Sequence, residues 1–242
     1  MNPPEPGTAE GTLHSDLCTE LTAASGDQPS VTLFFPHLEY RGFPAGDPYS
    51  KATQWRVDIV MNIEDDEDWD PRQLTVGFLE LWTLPVDESV AETLDSISVD
   101  TAEYLELLSS DAISDDVAEQ FDDSFITGLL ILDRAYIHPA LRGHSLGLWA
   151  LLQSIRQLTF GSFTVLVAAF PTPTEGRSGV SIAAAAKRLR QHWGGVGLEP
   201  IHACPKLVGQ TTASIAFANS YADFSSTAEL EVTLAVCDLT AQ

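Results

Sequence analysis

The period of the apolar positions changes along this chain, and each change marks an element. Gln54 to Ile63 alternates, and Leu74 to Leu84 is apolar at strand length. The acidic stretch Glu64 to Asp70 joins them as a solvated turn, so the three segments predict a hairpin. Val31 to Tyr40 predicts an earlier strand interrupted at Pro36, and Gly42 to Tyr49, with two Pro and two Gly, predicts a loop. From Asp87 to Phe121 the spacing turns helical. Ala91, Leu94 and Ile97, then Tyr104, Leu105, Leu107 and Leu108, give the apolar face of two or three helices whose other face is acidic. Phe125 to Leu132 is again apolar and of strand length, and Leu148, Trp149, Leu152, Ile155 and Leu158 then recur at helical spacing. A strand over Phe163 to Phe170 and a helix over Ser181 to Trp193 follow. Pro200 to Ala203, Leu207 to Ala218 and Glu229 to Leu239 read as closing strands. Residues 1–29 are rich in Pro, Gly, Ser, Thr and acids and predict a flexible tail, with a short helix near Leu17 to Ala24. That leaves 30–242 as a single α/β domain with a helical acidic segment at 86–123.

Composition narrows the class. The chain has 242 residues, 44% of them hydrophobic, with a mean hydropathy of +0.02, enough for a sizeable core. It has no apolar run of about twenty residues, so no membrane span is expected. The start, Met1 to Gln28, lacks the basic and apolar regions of a signal peptide. Cys18, Cys204 and Cys237 are scattered without C-x-x-C spacing, which fits reduced thiols in a cytoplasm and gives no zinc pattern. His138, His144, His192 and His202 are dispersed in the same way, so no metal is expected.

The net charge of −23 is unevenly spread. Gln73 to Asp133 holds fifteen acids and no Lys or Arg, whereas Arg134 to Lys206 holds eight basic residues against two acids, a local excess of +6. A nucleic-acid backbone would be repelled by most of such a molecule. A phosphate-bearing small molecule would be drawn to the basic region. The acidic part suits a cationic amine, and equally a chain whose whole composition is simply acidic.

One stretch carries candidate chemistry: Tyr136-Ile137-His138-Pro139-Ala140-Leu141-Arg142-Gly143-His144-Ser145-Leu146-Gly147. It lies between a strand-like and a helix-like run. A Gly-bearing turn at a helix N-terminus leaves backbone N–H groups unpaired, and the helix dipole adds to their attraction for an anion. The stretch has no Gly-Lys-Ser/Thr of a P-loop and no G-x-G-x-x-G of a dinucleotide fold. An ordinary strand–turn–helix of another α/β fold stays open on these residues alone.

The stretch resembles the pyrophosphate loop of the GNAT superfamily of N-acetyltransferases. There a hydrophobic-x-Pro-x-x-Arg-Gly run leads into Arg/Gln-x-x-Gly-x-Gly/Ala. Arg142, Ser145 and Gly147 occupy the loop positions, Ser145 standing where the first Gly is usual. The strand, helix and Gly197-Leu198 that follow keep the family's order, so the resemblance covers about residues 125–202. It implies a GNAT-like α/β fold whose mixed, mostly antiparallel sheet is splayed at an acyl-CoA site, with acetyl-CoA as co-substrate. It also implies acetyl transfer to a small-molecule or protein amine. A non-catalytic GNAT-like protein that binds coenzyme A, or acts through protein contacts, is the alternative, and a homodimer is compatible with either.

By position the resemblance assigns pantetheine contacts to the backbone of Ala135, Tyr136 and Ile137. Gly143, His144, Ser145, Leu146 and Gly147 would bind the pyrophosphate, with Arg142 bracing the loop. The family's Tyr acid falls on Trp193 and its Asn on Ala186, so neither is present. Candidate acid/base residues are then Asp133, Tyr136 and His192, or a water. By alternation Tyr136 and Asp133 would face opposite sides of the strand. The helical block between Leu84 and Phe125 departs from the family's run of successive antiparallel strands.

Overall fold

A computed structural model describes residues 17–23, 30–44, 51–63, 72–87, 89–97, 104–109, 112–123, 125–168 and 182–235. In chain order these form α1 (residues 17–23), β1 (Ser30–Pro44), β2 (Thr53–Ile63), β3 (Arg72–Pro85), α2 (Val90–Ile97), β4 (Leu108–Ser109), β5 (Ala112–Ile113) and α3 (Asp115–Gln120). Then come β6 (Gly128–Ile137), α4 (Leu146–Leu158), β7 (Phe163–Ala168), α5 (Ile182–Gly194), β8 (Glu199–Pro200), β9 (Leu207–Thr211), α6 (Ile215–Asp223) and β10 (Glu231–Ala235). Eight strands join in the order β10-β1-β2-β3-β6-β7-β9-β8. Each neighbouring pair is antiparallel except β6–β7, which is parallel. The result is a mixed α/β fold around a large, mostly antiparallel sheet. The expected β2–β3 pair forms over all of β2, from Thr53↔Thr83 to Ile63↔Arg72, with one register slip at Ile59/Val60.

Apolar residues on both faces of the sheet bury two cores. In β2, Val57, Ile59, Met61 and Ile63 enter the main core every second residue, as half-buried strands require. Leu146, Trp149, Leu152 and Ile155 of α4 cover that face, together with Trp193 of α5 and Phe217 of α6. Leu17 and Leu21 of α1 are 2% and 0% exposed in the same core. The short helix expected inside the N-terminal segment is thus a docked element, not part of a flexible tail. On the opposite face, Leu129, Ile131, Leu166 and Leu207 pack against Leu94 of α2, Val117 of α3, Tyr104 and Leu107. The acidic segment is therefore an excursion between β3 and β6, which are themselves neighbours. Its described apolar positions are held by the second core.

Several boundaries differ from the sequence reading. The strand expected at Phe125–Leu132 begins at Gly128 and runs on to Ile137. Where two or three helices were expected, the described residues of 86–123 form two short helices, a helical turn at 104–107 and the β4–β5 ribbon. β1 passes through Pro36 with a register slip between Phe34 and His37 and reaches Pro44, into the expected loop. The expected strand at Leu207–Ala218 stops at Thr211. Ser214 then caps α6, its hydroxyl accepting from the Ala216 N–H at 3.2 Å, and this local bond favours a helix start over extended chain. Of the Pro200–Ala203 region only Pro200 lies in a strand, the second residue of β8. The acidic turn at 64–70 and the ends of the strands expected to reach Phe170 and Leu239 lie outside the described residues.

Candidate functional site

The site begins with one extra residue in β6. Glu80 of β3 pairs with Arg134 and Leu81 with Leu132, so Asp133 is the extra residue of a β-bulge. A bulge bends its strand and resets the side-chain alternation. The second effect is visible. Before Asp133 the even-numbered Leu130 and Leu132 enter the main core; after it the odd-numbered Ile137 packs there. The parallel pairing of β6 with β7 runs from Gly128↔Phe163 to Leu132↔Val167 and ends at the bulge. Among the described residues β6 continues for five more residues paired with β3 alone, and its other edge lines a cleft.

Backbone alternation decides which groups face that opening. The His138 N–H donates to the Val76 carbonyl at 2.9 Å. The Tyr136 carbonyl lies 2.5 Å from where a Cβ on Gly77 would sit, so only glycine allows β3 and β6 this close. Tyr136 therefore turns its main chain toward β3, and Ala135 and Ile137 turn theirs to the open edge. Of the three residues expected to bind through the backbone, two are so oriented and Tyr136 is not.

The chain next closes the end of the opening. A helical turn at Pro139–Leu141 leads into Arg142, whose Nε donates to the Ile137 carbonyl at 3.1 Å and so braces the loop. His138, 1% exposed, anchors the turn: its Nδ1 accepts from the Ala140 N–H at 3.3 Å, and its Nε2 lies 3.7 Å from the Cys18 sulfur of α1. Gly143 takes φ +92° and Ser145 φ +60°, ψ 11°, two left-handed residues that turn the chain into α4. The first intrahelical bond runs from the Trp149 N–H to the Ser145 carbonyl at 3.0 Å. Helix geometry thus leaves the N–H groups of Leu146, Gly147 and Leu148 without an intrahelical acceptor, at the positive end of a thirteen-residue helix.

These elements enclose a cleft of about 580 Å³. One wall is β6 from Leu132 to Ile137, with Arg142, Gly143, Ser145, Leu146 and Gly147 at one end. Val167 and Ala168 of β7 and Leu189, His192 and Trp193 of α5 form the facing wall. Every residue proposed from the sequence lies along this cleft except His144, which is exposed outside it. Asp133, Tyr136 and His192, the three acid/base candidates, all line it. His192 is exposed on one side, but desolvation where it meets the cleft holds its imidazole below the usual histidine range. It is therefore neutral at pH 7, able to accept a proton and not loaded to give one. Trp193 is 5% exposed and packs edge-on to His192, with ring centroids 4.8 Å apart.

On the far face of β6 lies a feature that sequence reading missed. Arg41, Arg56, Glu80 and Arg134 stand in one cross-strand row over β1, β2, β3 and β6. Arg56 donates through Nε to Asp58 and through Nη1 to Glu80, both at 2.8 Å; Arg41 pairs with Asp58, and Arg134 with Glu80 at 3.4 Å. The Arg56 guanidinium also sits 3.4 Å above the Phe78 ring, which stacks on Tyr136. The signal was single charges inside apolar strands, but their alignment depends on strand pairings with three register slips that composition does not reveal. Among the described residues no group of three or more His, Cys, Asp or Glu is placed to share a metal ion, and no helix is long and apolar enough to cross a membrane.

No protein-family model matches the chain, and no curated protein matches it in sequence. The functional argument therefore rests on the site itself.

Proposed function

We propose that the chain is an acyltransferase of the GNAT type, moving an acetyl group from acetyl-CoA to an amine. One observation carries the reading: the only parallel strand pair among the described residues parts at the Asp133 bulge, and the same cleft receives the N-terminus of α4. An extended chain with amide groups fits an open strand edge, and a diphosphate fits the orphan N–H groups beyond it. Ala135 and Ile137 offer the edge; Gly143, Ser145, Leu146 and Gly147 offer the cradle. The sheet order, with its single parallel pair, also supports the GNAT resemblance.

The thioester supplies an activated acyl carbon. The chain's own residues have three tasks: to hold it, to exclude water and to receive a proton. As the amine nitrogen bonds to the acyl carbon, the carbon–sulfur bond breaks, the amine loses one proton and the sulfur leaves as a thiol after gaining one. Asp133 lies at the point where the strands part and is the residue proposed to take the amine proton, directly or through water. Neutral His192 on the opposite wall is a second acceptor. Trp193 at the family's Tyr position has no proton to give, so positioning must supply much of the rate. That same Trp favours a second reading, a coenzyme A-binding protein without transfer. Incubating the full chain with acetyl-CoA and mixed amines separates them. Thiol release that requires both the amine and the folded protein is expected; coenzyme A binding without any release would favour the second reading.

A further inference from the structure

The charged row beside the cleft bears on what the amine acceptor carries. Its internal ion pairs engage each of the four oxygens of Asp58 and Glu80. They use only a minority of the N–H donors on Arg41, Arg56 and Arg134, because a guanidinium has several in a planar fork. A row paired in this way has its carboxylates satisfied and its donors in surplus. The complementary ligand group is therefore an acceptor of hydrogen bonds, not another cation. Glu39, opposite Asp58 on β1, and Asp133 are the other carboxylates nearby. Glu39 is on the far strand, three strands from β6, and Asp133 is already given to the reacting amine.

Only one member of the row also lines the cleft. Arg134 follows the bulge directly, is 23% exposed, and is held by Glu80, which Arg56 holds in turn. A guanidinium held by a carboxylate, part-exposed and on a residue that lines the cleft, is preorganised to take a second carboxylate. Its charge also disfavours an ammonium close by, which helps an acceptor amine to lose its proton. We propose, on the basis of the acyltransferase reading, that Arg134 is the specificity-determining residue for the acceptor, and that the acceptor is an amine that also bears a carboxylate. The guanidinium binds the carboxylate while the amine lies toward Asp133.

The test uses the full chain, acetyl-CoA and matched pairs of acceptors: the common amino acids and the amines left when each loses its carboxylate. Coenzyme A binding is measured first by calorimetry. The carboxylated member of at least one pair is expected to have the higher kcat/KM. Arg134→Gln should raise its KM about 10- to 100-fold and erase the preference, with coenzyme A affinity unchanged. Arg134→Lys, which keeps the charge and the stem but loses the fork, should fall between and guards against a folding defect in the first variant. Three results overturn the proposal while leaving the acyltransferase reading intact: equal turnover of both members, a preference that survives in Arg134→Gln, or acetyl transfer only to amines without a carboxylate. Bound coenzyme A with no transfer to any amino acid also overturns it. Failure to bind coenzyme A removes the acyltransferase reading and this proposal with it.

Discussion

At Asp133 one inserted residue bends β6 out of its pairing with β7 and places a carboxylate where the strands part. It also cancels the parity argument that would set Asp133 and Tyr136 on opposite faces, since alternation restarts after the bulge. Asp133→Asn keeps the shape and removes the basicity, so turnover should fall by roughly 10²–10⁴-fold while coenzyme A affinity stays near that of the unaltered chain. Unchanged turnover would pass the proton to His192, Tyr136 or water; loss of folding would make Asp133 structural. The loop residues were legible in the sequence because Gly143, Ser145 and Gly147 mark a turn whose backbone must adopt left-handed angles before a helix. Arg134 was not legible. Its partner Glu80 is 54 positions earlier, and only the register brings them together.

At the scale of elements, the frame of the cleft depends on how the acidic excursion is returned to the sheet. Asp123, just beyond α3, is 9% exposed and accepts from the hydroxyls of Ser162 and Thr211 and from the Phe125 N–H. It thus ties the end of α3 to the starts of β6 and β7 and to the end of β9. Burial raises its carboxyl pKa, but these hydrogen bonds outweigh burial and hold it below the usual carboxylate range. A folded-state pKa below the unfolded value of about 3.9 gives stability that is fully present above that value and is lost as pH falls through the folded one. Asp123→Asn should therefore lower Tm at pH 7 by an amount equivalent to about 1–3 kcal/mol. That difference should shrink as the pH is taken below about 4. A Tm gap constant from pH 7 to pH 3 would deny the carboxylate its role. Strand β2 and helices α4 and α5 were readable because their apolar faces meet one core each, so a single period runs through them; β3 was readable from its apolar length, although it feeds both cores. The Leu207–Ala218 segment was misread because its two apolar ends, Leu207–Val208 and Ile215–Ala218, were joined across the polar stretch Gly209 to Ser214, in which the strand ends and the helix is capped.

At the scale of the molecule, the two halves of the charge distribution fall on different parts of the fold. The acidic excursion covers one face of the sheet, while the eight basic residues of Arg134–Lys206 belong to the half that contains the cleft loop and α5. An anionic ligand is thus repelled by most of the surface and attracted at one place, which favours a small phosphate ester over a polyanion. The overall class of fold was visible in the alternation of strand and helix periods. The opening in the sheet was not, because it depends on a one-residue bulge at Asp133 that the apolar pattern does not mark. The central claim is that this opening, with its loop, holds an acyl-coenzyme A. A calorimetric titration of coenzyme A into the full chain and into Gly147→Glu tests it most directly. A Cβ at 147 meets only an ordinary contact, 3.6 Å from Ile137 Cγ1, so the variant should fold and differ mainly by a carboxylate set against the cradle. Saturable binding to the unaltered chain, lost in folded Gly147→Glu, is the predicted result; no binding to the unaltered chain, or equal binding to both, would contradict it.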